Sequence, residues 1–311
     1  MLKQKIAILG ATGQIGKNLF INFSKEENFE VFLFSRNEKK LEKILEQVKS
    51  KQNLSVRKYD ELNKSQYDII INCVGLSDPA VLKDHNKNIL EITKMFDDVT
   101  LEYLKNNTKT KLINFSSGVI YGGEFNSPIK DTILINEKNQ KNFDSKSPYT
   151  IAKINSEVRH RKLREFNIID LRLFSFFSRF MNIESKFFLS EIILSIKEKK
   201  KFLTDKHEIY RDYIHPDDLS SFVKKCIYSK PLNDVFDLHS KQHISKFEIL
   251  NFLKEKHDLH YEIIQDMKHP DYTDFKRKYY TDSNKTESLG FKPKYSSLDT
   301  ILDELPYFLS D

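Results

Sequence analysis

Residues 147–153, SPYTIAK, carry a tyrosine and a lysine four positions apart, Tyr149 and Lys153. On a helix this spacing places both side chains on one face. A phenol with its ordinary pKa of about 10 is a poor proton carrier at neutral pH, but a neighbouring ammonium favours the phenolate. The pair could therefore transfer a proton to or from a bound molecule. Ordinary helix surfaces show the same spacing, so the other motifs of the chain must decide whether Tyr149 and Lys153 are catalytic.

A second group of hydroxyl-bearing residues lies at the end of a predicted strand, in residues 114–123, NFSSGVIYGG. Ser116 and Ser117 end the strand, and Tyr121 comes four residues after Ser117. A hydroxyl at this position can donate a hydrogen bond to a reacting oxygen and stabilise its developing charge. Capping of the strand end by serine is the alternative explanation.

Residues 8–16, ILGATGQIG, form a glycine motif between the first predicted strand and the first predicted helix. The glycines permit a tight turn, and the N–H groups at the helix N-terminus attract a pyrophosphate. The motif predicts a dinucleotide site built from Gly10, Thr12, Gly13, Gln14, Ile15 and Gly16.

The residues after the second predicted strand bear on which dinucleotide binds. An NAD site usually has a carboxylate there for the ribose 2′-hydroxyl, whereas this chain has Ser35 and Arg36. A guanidinium can hold a 2′-phosphate bidentately, so we predict NADP(H), with NAD(H) as the alternative if Arg36 is only a solvated loop residue. Asp60 is either a partner for the adenine amino group or a solvated loop carboxylate, and Gly75 is expected beside the cofactor.

The first half of the chain alternates apolar runs with helical patterns. Strands are predicted at 5–9, 30–34, 55–57, 68–73, 111–116 and 168–173, and helices at 15–24, 39–50, 89–105 and 149–166. Alternation of this kind, with nearly all-apolar strands, predicts an α/β fold whose parallel sheet has helices on both faces. The glycine-rich segments then meet at the carboxyl edge of the sheet, where ligands bind.

Composition excludes several classes of protein. No apolar stretch in the 311 residues is long enough to span a bilayer, and the lysines behind the net charge of +6 are scattered. This mild charge fits an anionic small molecule better than a nucleic acid. Two cysteines, Cys73 and Cys226, make a disulfide framework unexpected, and the histidines lack metal-ligand spacing. We expect a cytoplasmic protein that binds no membrane, nucleic acid or metal.

Taken in order, these motifs resemble the extended short-chain dehydrogenase/reductases, specifically the nucleotide-sugar epimerase, dehydratase and reductase family. That family has a glycine triplet, a Ser or Thr four residues before Tyr-Gly, and a Tyr-x-x-x-Lys pair. Two later segments, IYRDYIHPDDLSSF and DSNKTESLGFKPK, also match its pattern, so the resemblance covers nearly the whole chain.

The resemblance implies a Rossmann-type doubly wound parallel sheet with a smaller C-terminal mixed α/β substrate-binding domain. Residues 1–173 would form the NADP-binding domain, to which residues 208–238 return, and residues 174–207 and 239–311 the substrate-binding domain. It also implies that Ser117, Tyr149 and Lys153 are catalytic, with Tyr149 and Lys153 also contacting the cofactor. The family pairs subunits through two helices, here 89–105 and 149–166, so a homodimer is expected.

Two departures from the family pattern bear on the reaction. Dehydratases carry an Asp-Glu pair after the Ser/Thr position, where this chain has Gly118 and Val119. Epimerases usually retain NAD, whereas Ser35 and Arg36 favour exchangeable NADPH. We therefore expect reduction of a keto group of a nucleoside-diphosphate sugar, with C4 as the expected position. The expected biological setting is the synthesis of bacterial surface-polysaccharide precursors. The alternatives are a 4-epimerase with tightly bound NAD and a non-catalytic, redox-sensing NADP(H)-binding regulator.

The expected substrate contacts also follow from the resemblance. Arg211, in the Arg-Asp-Tyr segment, would hold the diphosphate. Ser175 stands where the family often has an asparagine, and Arg179 either compensates or is a surface arginine. Ser117 and Tyr121 complete the predicted substrate site.

Overall fold

The computed structural model describes residues 3–46, 48–75, 88–122, 125–136, 138, 147–265 and 276–309. Gly123, from the predicted serine and tyrosine motif, and residues 266–275 of the expected substrate-binding domain lie outside these ranges.

Fourteen strands occur in the described part of the chain. They are β1 (Gln4–Leu9), β2 (Phe29–Phe34), β3 (Leu54–Arg57), β4 (Ile69–Asn72), β5 (Lys111–Ser117), β6 (Asn167–Leu173), β7 (Ser175–Phe176), β8 (Phe202–Thr204), β9 (Tyr210–Arg211), β10 (Tyr213–Ile214), β11 (Asn233–Leu238), β12 (Ile244–Ser245), β13 (Tyr261–Ile263) and β14 (Lys278–Tyr279). The six strands predicted in the first half are all present, within one residue at each end.

Nine helices are described. They are α1 (Gln14–Phe23), α2 (Glu38–Glu46), α3 (Asn88–Asn106), α4 (Pro148–Lys162), α5 (Phe188–Lys197), α6 (Pro216–Tyr228), α7 (Lys246–His257), α8 (Ser297–Glu304) and α9 (Pro306–Leu309). Helix α4 ends four residues earlier than predicted, because the backbone leaves the helical region at Leu163 and β6 begins at Asn167.

Seven strands form one parallel sheet in the order β3-β2-β1-β4-β5-β6-β11. The order reverses between β1 and β4, which opens a crevice at the carboxyl ends of these strands. Along β1, Ile6 and Ile8 pack into one hydrophobic cluster and Ala7 and Leu9 into the other. Because both faces are covered, every residue of the strand interior is apolar. The predicted α/β fold is confirmed.

The C-terminal part has its own hydrophobic cluster, to which α5, α7, α8 and α9 contribute. Its strands form small sheets, one with the order β12-β9-β14 and one pairing β8 with β13. Gly290, at a φ of +68°, ends the short helical turn Lys285–Leu289, because glycine adopts the left-handed conformation without strain. The proposed division into two domains stays a prediction.

No described helix is long and apolar enough to cross a membrane. Cys73 and Cys226 are both free thiols. Burial raises the pKa of both thiols, so they are poor nucleophiles.

A buried charged cluster joins α3 and α4 to the sheet. His160 Nδ1 lies 2.9 Å from an oxygen of Asp170, which also accepts hydrogen bonds from Asn114 at 2.7 Å and Arg161 at 2.8 Å. The Asp97 carboxylate lies 3.7 Å from His160 Nε2. Burial alone would lower the pKa of His160, but the Asp170 and Asp97 carboxylates outweigh it and raise this pKa above its ordinary value.

This cluster makes stability depend on pH. Because the pKa of His160 is higher in the folded than in the unfolded protein, its protonation stabilises the fold fully below about pH 6.5, and this contribution is lost as pH rises through the folded pKa. The loss of unfolding free energy caused by His160→Gln should therefore be largest near pH 6 and shrink at alkaline pH. Urea denaturation across this range measures it, with the exposed His260→Gln as control. An equal loss at all pH values would contradict the assignment.

Candidate active site

Helix α4 positions Tyr149 and Lys153. The helix starts at Pro148, whose fixed φ suits the first helical position. One turn separates Tyr149 from Lys153, and the lysine Nζ lies 5.9 Å from the centre of the tyrosine ring. Lys153 is only 6% exposed and donates a hydrogen bond of 2.7 Å from Nζ to the carbonyl of Phe115 in β5. The face of α4 that carries the pair is therefore turned to the sheet.

Ser117, the last residue of β5, lies in the same region. Its Oγ is 3.2 Å from the hydroxyl of Tyr279, and the Tyr279 and Tyr149 rings share one hydrophobic cluster. Gly118 follows, and a Cβ at this position would lie 2.5 Å from the ring of Phe174. The position after Ser117 thus has no room for an acidic side chain.

Glu157 anchors this face of α4 to the sheet. It lies one turn after Lys153, is fully buried and accepts a 2.5 Å hydrogen bond from Ser116, the neighbour of Ser117. Arg172 of β6 donates to both carboxylate oxygens, at 3.0 Å from Nε and 2.5 Å from Nη2. The Glu157 carboxylate therefore links α4 to β5, the strand that ends at Ser117, and to β6.

Tyr121, a predicted substrate residue, is hydrogen-bonded within the protein. Its hydroxyl donates to Asp237 at 2.5 Å and accepts from Arg172 Nη1 at 2.7 Å. Burial and the Asp237 carboxylate raise the pKa of Tyr121 well above its ordinary value. The Tyr121 ring stacks on the Phe174 ring, with 6.3 Å between the ring centres. The ring therefore packs in the same hydrophobic cluster as Tyr149 and Tyr279, whereas the hydroxyl points to Asp237 and Arg172.

The glycine motif forms the turn between β1 and α1. Gly10 has a φ of +77°, and a Cβ on Gly16 would lie 2.5 Å from the Gly10 carbonyl, so both positions require glycine. Helix α1 begins after Gly13 without a side-chain cap. Its first N–H groups therefore lack side-chain capping, which fits a diphosphate at this terminus. These features are the arrangement a dinucleotide needs.

Within this turn, three predicted cofactor residues have protein contacts. Thr12 Oγ1 lies 3.1 Å from Ser35 Oγ, Gln14 donates to Ser178 at 3.1 Å, and Ile15 packs against the core. Tyr59 was missed by the sequence reasoning: its hydroxyl accepts a 3.0 Å hydrogen bond from the Gly10 N–H.

The end of β2 carries no carboxylate. Ser35 is buried and accepts a hydrogen bond of 3.1 Å from the N–H of Asn37, whereas Arg36 and Asp60 are exposed. Burial and the nearby Lys40 ammonium lower the pKa of Lys17. Lys17 of α1 and Lys40 of α2 therefore lie close to each other.

Arg211 lies at the C-terminal side of the site. Its Nη1 donates to the carbonyls of Tyr210 at 2.8 Å and Lys276 at 2.7 Å, and its guanidinium is 5.9 Å from the Tyr279 ring. Burial lowers the pKa of Arg211, and burial together with Arg211 lowers the pKa of Lys276 to about 8. In the described part of the chain, neither cation has a salt bridge to a carboxylate.

The other two predicted substrate residues have different surroundings. Ser175 lies in β7, paired with Tyr213 of β10. Arg179 donates to Glu304 at 3.0 Å from Nε and 2.5 Å from Nη2, and its guanidinium lies 3.5 Å from the centre of the Tyr307 ring. The C-terminal helices thus engage Arg179, and its contact with substrate stays a prediction.

Two further residues of the site were missed, Tyr279 and Lys276. Both come from the segment around β14, which pairs with β9 so that Tyr279 lies opposite Arg211. The sequence KRKYYTD offers no spacing signal that links it to Ser117, because strand pairing alone brings the two together.

The glycine turn, the topology and the serine–tyrosine–lysine arrangement are those of a dinucleotide-binding α/β protein. The family model of the NAD dependent epimerase/dehydratase family matches residues 6–235. The chain belongs to this family, which confirms the resemblance drawn from its motifs. No curated protein matches the sequence.

Solved structures of nucleotide-sugar enzymes share the fold. One is a UDP-N-acetylglucosamine 4-epimerase from Methanobrevibacter ruminantium in complex with UDP-N-acetylmuramic acid, with a TM-score of 0.82, 17% identity and 99% of both chains covered. Another is a UDP-glucuronic acid 4-epimerase mutant from Bacillus cereus with NAD, with a TM-score of 0.81, 17% identity and 98% and 99% coverage. A dTDP-glucose 4,6-dehydratase from Bacillus anthracis with NAD has a TM-score of 0.79, 15% identity and 98% and 96% coverage. At these identities the likeness establishes the fold.

Glu157→Gln should destabilise the protein by about 3–5 kcal/mol, because it leaves the buried Arg172 without its main partner. Urea denaturation with linear extrapolation measures the change. The matched control is the exposed Glu165→Gln, for which a change within about 0.5 kcal/mol is expected. A loss from Glu157→Gln no larger than that of the control would show that the ion pair does not anchor α4.

Proposed function

We propose that the protein is an NADPH-dependent reductase of a keto group, at C4, of a nucleoside-diphosphate sugar. The observation that carries the proposal is the placing of Tyr149, Lys153 and Ser117 around the carboxyl end of β5, next to the crevice. The residue after Ser117 is a glycine packed on Phe174, so this position lacks the acid that elimination of water requires.

Each side chain has a role in this reaction. Ser117 hydrogen-bonds the keto oxygen and stabilises its developing charge. Tyr149 donates its proton to that oxygen, and the Lys153 ammonium, one helical turn away, offsets the negative charge that remains on Tyr149. When bound, the nicotinamide supplies the hydride that the carbonyl carbon receives. The product is the alcohol, and the carbonyl of Phe115 keeps Lys153 oriented throughout.

The cofactor is proposed to be NADP(H). Arg36 is exposed directly after Ser35, Lys17 and Lys40 lie close to each other, and none of the three residues after β2 carries a carboxylate that would repel a 2′-phosphate. Arg36 has no salt bridge within the described ranges, so its guanidinium is available to a phosphate. NAD(H) is the alternative, because two of the similar structures contain NAD.

The substrate is proposed to place its diphosphate at Arg211 and Lys276. Two half-buried cations side by side repel each other, and an anionic ligand would remove that repulsion. Two of the similar structures are complexes with UDP-linked sugars, which supports a nucleoside-diphosphate sugar here. The same likeness favours the second candidate, a 4-epimerase with retained NAD.

We further propose that the reductase acts in the cytoplasm, where it contributes to the synthesis of surface-polysaccharide precursors.

Tyr149→Phe should lower turnover at least about 100-fold, because the proton donor is removed, while NADPH affinity stays nearly unchanged. NADPH oxidation with a panel of UDP- and dTDP-linked 4-keto sugars measures turnover. The control Tyr228→Phe alters an exposed tyrosine away from the site and should retain activity. Turnover that survives Tyr149→Phe would refute the catalytic assignment.

Fluorescence titration should show tighter binding of NADPH than of NADH. Arg36→Ala should weaken NADPH binding about tenfold or more, because a charge-assisted hydrogen bond contributes about 1.5–3 kcal/mol, and leave NADH binding unchanged. The exposed Arg164→Ala is the control. Tightly retained NAD(H) in the purified protein, with no preference for NADPH, would favour the epimerase.

We also propose a homodimer formed through α3 and α4. Met95, half-exposed at 50%, lies on α3 with the exposed Leu90 and Val99, which gives the helix an apolar outer surface. Sedimentation at micromolar concentration should show a dimer, and Met95→Arg should dissociate it. Leu302→Arg, in α8, is the control. A monomeric wild-type protein would refute the proposal.

A further inference from the structure

Tyr279 brings a second phenol to Ser117. Its hydroxyl lies 3.2 Å from Ser117 Oγ, although 162 residues separate the two in the chain. The side chain is only 6% exposed, and its ring is held edge-on to Phe125 at 4.9 Å and tilted against Phe174 at 5.2 Å. Aromatic contacts on both sides leave the hydroxyl little freedom to move away from the serine.

The hydrogen-bond capacity of Ser117 makes this contact informative. A serine hydroxyl has one proton to donate and two lone pairs that accept. The N–H of Val119, which can only donate, points to Ser117 Oγ at 3.4 Å and also interacts with the Tyr279 oxygen. Either hydroxyl can be the donor in the contact between Ser117 and Tyr279. If the Tyr279 hydroxyl donates, Ser117 accepts from both Tyr279 and the Val119 N–H. Both lone pairs of Ser117 are then occupied, and its own proton is free for a ligand.

Tyr279 and Tyr149 differ in their surroundings. Burial, followed by the neighbouring Tyr149, raises the pKa of Tyr279 despite its contact with Ser117, so this phenol keeps its proton at neutral pH. Tyr149 instead lies one helical turn from Lys153.

We propose that Tyr279 is a positioning residue, whose phenol donates to Ser117 and directs the serine proton towards the keto oxygen of the substrate. This inference rests on the proposed function of Ser117 and adds a residue from the C-terminal part of the chain to it. Packing of the ring alone is the competing explanation. Tyr279→Phe separates the two, because phenylalanine preserves the ring and removes only the hydroxyl.

The first experiment requires no substrate. Protein labelled with ¹³Cζ-tyrosine is compared by NMR with its Ser117→Ala variant, and Tyr279→Phe identifies the resonance by its loss. Ser117→Ala should shift the Tyr279 resonance and leave that of Tyr280 in place, since the Tyr280 ring stacks on His243 at 3.9 Å. An unshifted Tyr279 resonance would overturn the proposal, whatever the turnover.

The second experiment measures kinetics with the 4-keto sugars. Tyr279→Phe should lower kcat about tenfold, which corresponds to about 1.4 kcal/mol, with KM nearly unchanged, because one hydrogen bond orients the serine in the reaction. Tyr280→Phe is the matched control and should retain full activity. In the Ser117→Ala background, Tyr279→Phe should have no further effect.

Outcomes against the proposal are distinct from failure of the proposed function. An unchanged kcat for Tyr279→Phe, or losses that add in the double variant, would leave only a packing role for the ring. Absence of wild-type turnover with every keto sugar would instead overturn the reductase, and the NMR comparison would still decide whether Tyr279 holds Ser117.

Discussion

The buried ion pair between Glu157 and Arg172 is the interaction on which the site depends. Removing two charges from water is costly, and the cost is offset only where hydrogen bonds satisfy both groups. Here the carboxylate accepts from Arg172 and from Ser116, so a helix and two strands meet at one group. Since Lys153 precedes Glu157 by one helical turn, and Ser117 follows Ser116, the same pair sets the distance between the lysine and the serine.

Arg172 also reaches the other side of the site. It donates to the Tyr121 hydroxyl, which in turn donates to Asp237 of β11, and the Asp237 carboxylate lies 3.5 Å from Arg172. This chain of contacts joins neighbouring strands of the sheet behind the serine. In the proposed reaction, a rigid polar layer beneath Ser117 and Tyr149 would limit reorganisation. The hydroxyl of Tyr121 belongs to this layer, although its motif suggested a substrate contact.

The two ends of the crevice are built differently. At the cofactor end, the geometry is local: Gly10 and Gly16 turn the chain so closely that a side chain has no room, and α1 starts immediately afterwards. At the proposed substrate end, Arg211, Lys276 and Tyr279 come together through pairing of β9 with β14. The proposed dinucleotide end is thus formed by nearby residues of one turn, and the proposed substrate end depends on the C-terminal part of the chain.

The sequence by itself determined the parallel sheet, the glycine turn and the Tyr149–Lys153 pair, because hydrophobic period, glycine placement and helical spacing are local properties. It could not reveal that Glu157 lies against Ser116 or that Tyr279 reaches Ser117. Those contacts join residues 41 and 162 positions apart. Only the packing of α4 on the sheet and the pairing of short strands decided them, since neither leaves a periodic signal in the chain.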